Sequence, residues 1–295
     1  MILTRDGVVS FLDAYPYTAE MRDAILGGFD LLSSNEEFRS IVSVYEENPR
    51  APYATLNEQL TRMQALSTAV GISPYLGHLV MLIAWTPALR RVYTERGFSM
   101  QMLHATLADL YYKTLECMAV QGCVGTFVAS WEVKIFKMEI FAHGRLQFEP
   151  VSLSKDTVVG EVTLPVGTRV FSVHIPRTLT PLDHDAVMES YRLADLFFRE
   201  HGMCEHTIFF CSSWLLFPRH RELLREGANI VRFLSDYTIT ESGEYETYND
   251  LWRLFDCKFT TVDALPTDTS IRRAYAELIR RGEKTGWGRG FILYS

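Results

Sequence analysis

Residues 170–183 read VFSVHIPRTLTPLD, and the change of period within them decides the fold. Val170, Ser172 and His174 fall on one face and Phe171, Val173 and Ile175 on the other, the alternation of a strand. Pro176 has no N–H to give a ladder and closes it. A helix start follows: Thr180 as cap, Pro181 at the first helical position and Asp183 completing a capping-box-like pair. That helix is predicted to run over 181–201 and to stop at Gly202. His174 stands at the C-terminal end of the strand and has two readings. It is a core histidine with a satisfied partner, or it looks into a cleft, where open α/β sheets place their ligands.

Downstream of this stretch, HTIFFCSS (206–213) predicts a second strand, with a helix opening near Pro218. NIVRFLSDYTI (229–239) then reads as a strand, YNDLWRLF (248–255) as a short helix and CKFTTV (257–262) as a short strand. DTSIRRAYAELIRRG (268–282) is an amphipathic helix, and GFILYS (290–295) closes the chain as a strand. Upstream, VASWEVKIFKMEIF (128–141) alternates and predicts a strand, followed by a hairpin through His143 and Gly144 into GRLQFEPVSL. VVGEVTLPVGTRVFSVHIP (158–176) continues as strand, turn and strand, with Gly167 in the turn.

The first 120 or so residues have a different texture. TAEMRDAILGGFDLL, NEEFRSIVSVYEEN, ATLNEQLTRMQALSTAV and SMQMLHATLADLYYKTLECMAV place apolar residues three and four apart, so helix follows helix. The predicted organisation is therefore α+β: an all-helical N-terminal domain over 1–126, then a mixed α/β domain over 127–295.

The totals narrow the function classes. The 295 residues are 47% hydrophobic and 22% charged, with a net charge of −7. A nucleic-acid partner would need clustered Lys and Arg, and this balance counts against one. YLGHLVMLIAWTPALRR (75–91) is interrupted by His78 and Pro87 and is too short to span a membrane; it predicts a buried helix. The opening MILTRDGVVSFLDAYP lacks the basic flank and long apolar run of a secretory leader. Five cysteines, an odd number without a CxxC pair, predict free thiols in a reducing compartment, hence the cytoplasm.

The succession GRLQFE, FSVHIP, PLDHDAVMESYRLADLFFREH, CSSWLLFP, NIVRF and LPTDTSIRRAYAELIRRG resembles a bacterial family of acyltransferases. Its members join a helical N-terminal domain to a C-terminal domain similar to the GCN5-related N-acetyltransferase (GNAT) fold, with a central, mostly antiparallel sheet. The resemblance implies an acyl-CoA co-substrate lying where two parallel strands splay, here 169–175 and 207–213. The strand edge at Val173 and Ile175 would meet the pantetheine amides, and the helix beyond would face the pyrophosphate. That fold's usual phosphate loop, Q/R-x-x-G-x-G/A, is replaced here by RTLTPL, which has no glycine. Arg177, Thr178 and Thr180 would supply charge and hydroxyls in its place. The implied reaction moves an acyl group to an amine of a small molecule or peptide, with no metal, nucleic acid or membrane involved. The loss of the glycines supports an alternative, a ligand-binding or regulatory protein on a degenerate form of the fold.

Several residues are candidates for the chemistry. His174 would be the general base that deprotonates the amine, with Glu149 the second choice. Arg145, Gln147 and Glu149 share a strand face that would line a substrate groove, with Arg145 holding a carboxylate; the bland reading is a solvated sheet face. Ser212 and Ser213 would contact a ligand between the strands. A hydrolase using Cys211 or Ser213 as nucleophile would need a histidine within reach, and no G-x-S-x-G elbow is present. His201, Cys204 and His206 lie close in sequence without a fourth ligand, so helix capping and core placement are expected in preference to metal. GEKTGWGRG (282–290) follows a helix and opens a strand, the reverse of a nucleotide-binding loop, and predicts a turn. Arg232 is expected on a central strand, paired with Glu149 or Asp183.

Overall fold

Helices α1 (Arg5–Asp13), α2 (Ala19–Ser33), α3 (Glu36–Glu47), α4 (Tyr53–Ala69), α5 (Pro74–Glu95), α6 (Met100–Gln121) and α7 (Ala129–Phe136) make up the first of two units. The computed structural model describes residues 4–248 and 251–294. Residues 1–3 of the opening stretch, Asn249 and Asp250 of the expected helix, and Ser295 of the closing strand lie outside them. Tertiary contacts separate Met1–Phe141 from Ala142–Ser295. Local chemistry starts most of these helices: Thr4, Thr18, Asn35, Ser73 and Ser99 each accept a hydrogen bond from a first-turn N–H.

The expected strand over 128–141 is instead mostly α7. Its β-branched and aromatic residues alternate, but the buried residues are Ala129, Glu132, Val133, Ile135 and Phe136, which include adjacent pairs and three- and four-residue steps that a helix, not a strand, turns to one core. Burial against neighbouring helices overrides strand propensity here. Glu132 is the reason the pattern misleads. It is a fully buried carboxylate on the apolar side of the helix, and its Oε2 accepts from the Thr126 hydroxyl at 2.5 Å. Asp109 and Glu116, also buried, share its surroundings with Lys113, whose ammonium bonds both oxygens of Glu116 at 3.1 and 2.9 Å.

The second unit is built on a six-stranded sheet in the order β1-β2-β5-β6-β8-β7. The strands are β1 (Phe141–His143), β2 (Leu146–Ser152), β5 (Arg169–His174), β6 (Ile208–Ser213), β7 (Thr238–Glu244) and β8 (Gly286–Leu293). A separate hairpin is formed by β3 (Thr157–Val159) and β4 (Val162–Leu164). The β5–β6 pair is parallel, and the other pairings resolved between strands are antiparallel. Helices α8 (His184–Glu200), α9 (His220–Leu223), α10 (Asn229–Ser235), α11 (Trp252–Phe255) and α12 (Ser270–Arg280) complete the unit.

Four expectations change. First, α8 starts three residues later than expected. The Asp183 carboxylate accepts from the amides of Asp185 and Ala186, at 3.1 and 3.4 Å, while the Thr180 hydroxyl is taken up by Thr178 at 3.0 Å. Second, NIVRFLS is helix α10. Phe233 and Leu234 are both buried, and adjacent residues reach one core from a helix but diverge on a strand. Arg232 is therefore exposed on α10, and neither Glu149 nor Asp183 is its partner. Third, CKFTTV forms no strand; only a 3-10 turn, Val262–Ala264, follows it.

Fourth, the glycines of GEKTGWGRG lie mainly in β8. Gly286, Gly288 and Gly290 alternate along one face, where other chain segments press against the sheet. A Cβ on Gly288 would sit 2.1 Å from the carbonyl oxygen of Leu216, and one on Gly286 would sit 2.3 Å from the Phe217 ring. Gly288→Ala is expected to lower stability by about 2 kcal/mol or more, because backbone must move to admit the methyl. Urea denaturation of the two proteins measures it, and an unchanged midpoint would refute this packing role.

Candidate active site

The two faces of the sheet differ in chemistry. On one face Phe148, Phe171 and Phe209 meet Tyr191 and Phe198 of α8, with Phe171 and Phe198 stacked at 3.9 Å between ring centroids. That face is sealed by aromatic packing. The opposite face carries Gln147, Glu149, Ser172, His174 and Ser212, because Gln147 lies opposite His174 and Glu149 opposite Ser172 in the β2–β5 register. Gln147 and Glu149 are buried, at 2% and 8% exposure, so this face of GRLQFE is not a solvated one.

On that face His174 Nε2 lies 2.9 Å from Glu149 Oε2. The first and second choices for a base are thus a single hydrogen-bonded pair. An ionised carboxylate only accepts, so the contact places a proton on Nε2 and fixes the plane of the ring. The His174 side chain keeps 27% of its surface in contact with solvent.

The β5–β6 pairing consists of Phe171 with Phe209 and Ser172 with Phe210. Beyond it β5 runs on to His174 and β6 to Ser213 without further pairing, so the parallel ladder stops short of His174. Val173, buried on the α8 side, lies on β5 beyond its pairing with β6, and the half-buried Ile175 follows just after the strand's end.

The loop after β5 is strapped in place by Arg145. Its Nη1 donates to the Pro176 carbonyl at 3.0 Å and its Nε to the Pro181 carbonyl at 3.2 Å. These bonds commit the guanidinium expected to hold a substrate carboxylate to organising residues 176–181. Arg177 points elsewhere: its Nη2 donates to Asp256 Oδ2 at 3.0 Å, while Nη1, shielded from water, has no hydrogen-bond partner. The same Asp256 Oδ2 also accepts from Arg272 Nη2 at 2.6 Å. Sequence reading missed Asp256 and Arg272. Arg272 gave the only signal, as one of the cations of an amphipathic helix. Thr178 and Thr180 are bonded to one another, and Thr180 is exposed.

Alternation on β6 separates the remaining candidates. Ser212 is exposed on the His174 face. Ser213 falls on the other and accepts from the Leu215 amide at 3.2 Å, capping a short 3-10 turn. Cys211 is fully buried on the α8 side, and burial pushes its thiol up to about 12. A thiol so disfavoured as thiolate, on the face away from His174, does not suit a nucleophile. His201 caps the C-terminus of α8, its Nδ1 2.8 Å from the Phe197 carbonyl oxygen, and Cys204 lies 3.5 Å from the Thr207 hydroxyl. Among the described residues no group of three or more His, Cys, Asp or Glu side chains could hold a metal ion. No helix among them is long and apolar enough to cross a membrane.

Comparison with known proteins identifies the family. Residues 10–138 match the N-acyltransferase N-terminal domain, and residues 140–292 match the GNAT-like C-terminal domain. The chain belongs to this N-acyltransferase family. Its GNAT-like domain comprises more than half of the sequence and contains both the parallel β5–β6 pair and the His174–Glu149 pair. Among solved structures the fold is similar to an acyltransferase in complex with decanoyl-CoA and teicoplanin. That match has 22% identity and a TM-score of 0.75, over 98% of this chain and 88% of the other. It is also similar to an acyltransferase mutant in complex with octanoyl-CoA, with 21% identity and a TM-score of 0.77, over 100% of this chain and 90% of the other. No curated protein matches the sequence.

Proposed function

We propose that this N-acyltransferase family member moves an acyl group from an acyl-CoA thioester to an amine, with His174 as the base. The observation that carries the reading is that the β5–β6 ladder ends just before the point where His174 meets Glu149. The complexes of the structural neighbours support it: they hold decanoyl- or octanoyl-CoA, which favours a donor of medium chain length, and teicoplanin, which favours a small-molecule or peptide-like acceptor. In the reaction the amine nitrogen bonds to the thioester carbonyl carbon as His174 takes the amine proton. Glu149 steadies the imidazolium so formed. The tetrahedral intermediate then expels the CoA thiolate and leaves an amide. Orientation of the two reactants supplies much of the acceleration, as is usual where the protein forms no covalent intermediate. Val173 and Ile175 would offer backbone groups to the pantetheine arm, and Gln147 and Ser212 would contact the acceptor.

Calorimetric titration with acetyl-, octanoyl- and decanoyl-CoA tests the reading, together with release of free CoA thiol when amines are added. Absence of binding at millimolar ester would overturn it. One feature favours the second reading, a ligand-binding protein that has lost CoA: the Asp183 carboxylate occupies the α8 amides that would otherwise meet a pyrophosphate. The same titration separates the two.

With that helix end taken, Arg177, whose side chain is 38% exposed, is the group left to hold a CoA phosphate. Arg177→Gln is expected to raise the KM for acyl-CoA by about 10- to 100-fold, the worth of a charge-assisted hydrogen bond. The KM for the corresponding acyl-pantetheine, which carries no nucleotide, should not change. Equal losses on both donors would exclude Arg177 from the phosphate site.

A further inference from the structure

The β3–β4 hairpin packs Val159 and Leu164 on Val170 and Phe291 of the sheet. Beside this contact it leaves a cavity of about 430 Å³, with Val151, Val170, Phe210 and Phe291 of the sheet and Val158 of the hairpin as its apolar side and a polar rim that includes Lys155, Asp156, Thr157 and Glu241. Those four sheet residues lie on the same face as the His174–Glu149 pair. Val151 is opposite Val170, Ser172 is level with Phe210, and Phe210 is opposite Phe291. Of the two cations at its edge, Lys155 and Arg289, the second is paired: Arg289 Nη1 donates to Glu241 at 2.8 Å, and its guanidinium lies 5.9 Å from the centroid of the Phe210 ring.

We propose that this cavity receives the distal methylenes of the donor's acyl chain and so sets its preferred length; the assignment rests on the acyl-CoA reading above. Along β5, Val170 and His174 are four residues apart, about 13 Å of strand. A chain of medium length whose thioester carbonyl is at His174 and which runs back along β5 therefore ends among Val151, Val170 and Phe291. Methylenes require no hydrogen-bond partners, and four apolar side chains on a sheet otherwise polar around His174 match that requirement. An acetyl group would not reach the cavity.

The test compares the binding of acetyl-, octanoyl- and decanoyl-CoA to the native chain and to two variants. In the native protein, affinity should rise by about 4-fold for each methylene that enters the cavity. Val158→Trp, at an exposed position of the hairpin, and Val151→Phe, at a half-buried one, each narrow the space from a different side. Either should reduce the ratio of decanoyl to acetyl affinity by at least tenfold. Native affinity that does not grow with chain length, or variants that leave the ratio unchanged, would overturn the cavity assignment alone. Failure of every ester to bind, acetyl-CoA included, would overturn the donor reading and this assignment with it.

Discussion

Replacing His174 by alanine is expected to lower kcat for acyl transfer by about 10²- to 10⁴-fold, the usual worth of a positioned general base. The loss should fall on kcat and leave the dissociation constant of acyl-CoA near its native value, since the imidazole is assigned to the acceptor's proton. Added imidazole should restore part of the rate to H174A, a rescue that a purely structural histidine would not show. Glu149 acts through His174, its Oε2 lying 2.9 Å from Nε2, and is a positioning residue. Glu149→Gln should therefore also lower kcat, and the double variant should be little worse than H174A alone, because residues that act as a unit are not additive. Multiplied losses in the double variant would mean two independent roles. A native kcat in H174A would remove histidine from the mechanism.

How much of this was legible depends on the distance over which each feature is decided. Strand β5 and helix α8 could be read from VFSVHIPRTLTPLD because alternation, a proline and a cap are local. The exact cap could not, since Thr180 and Asp183 both fit the pattern and the choice turned on Thr178 taking the Thr180 hydroxyl. Helices α7 and α10 were misread as strands because β-branched and aromatic residues alternate in both; their helical state rests on which residues tertiary packing buries. The β8 glycines carried no local meaning. Only the approach of Phe217 to Gly286, of Leu216 to Gly288 and of Tyr237–Ile239 to Gly290 explains them.

The site divides in the same way. His174 and Glu149 were each recognisable by residue type and strand position, yet they are 25 residues apart, and only the β2–β5 register makes them a pair. Alternation on β6 settled the roles of Cys211, Ser212 and Ser213 once the direction of that strand's faces was known. Arg145 illustrates the limit. A guanidinium beside a groove suits a carboxylate, but it suits the carbonyls of a proline-rich loop equally well, and here two prolyl carbonyls hold it.

The largest expected effect on stability lies in the helical unit, far in sequence from the site. Burial, reinforced by the negative charge of Asp109, pushes Glu132 from 4.5 up to about 8, and the Thr126 hydroxyl and Lys113 offset only part of that. Its Oε1 has no hydrogen-bond partner. The folded chain therefore holds a proton on Glu132 in a range where the unfolded chain has released it. The stability tied to that proton is fully present below about pH 4.5 and is lost as pH rises towards 8. Each unit of pH in that window costs roughly 1.4 kcal/mol, so the sum is on the order of a few kcal/mol. Glu132→Gln keeps the carbonyl oxygen for Thr126 and has no proton to lose. It should match the native chain near pH 4.5 and exceed it by a few kcal/mol at pH 8, as read from urea denaturation at both values. The half-buried His143 and the buried His220, both pushed down to about 4, act in the opposite direction. They are common to both proteins and cancel in the difference. A difference that does not vary with pH would show that Glu132 is ionised in the folded chain throughout, with Lys113 compensating it in full.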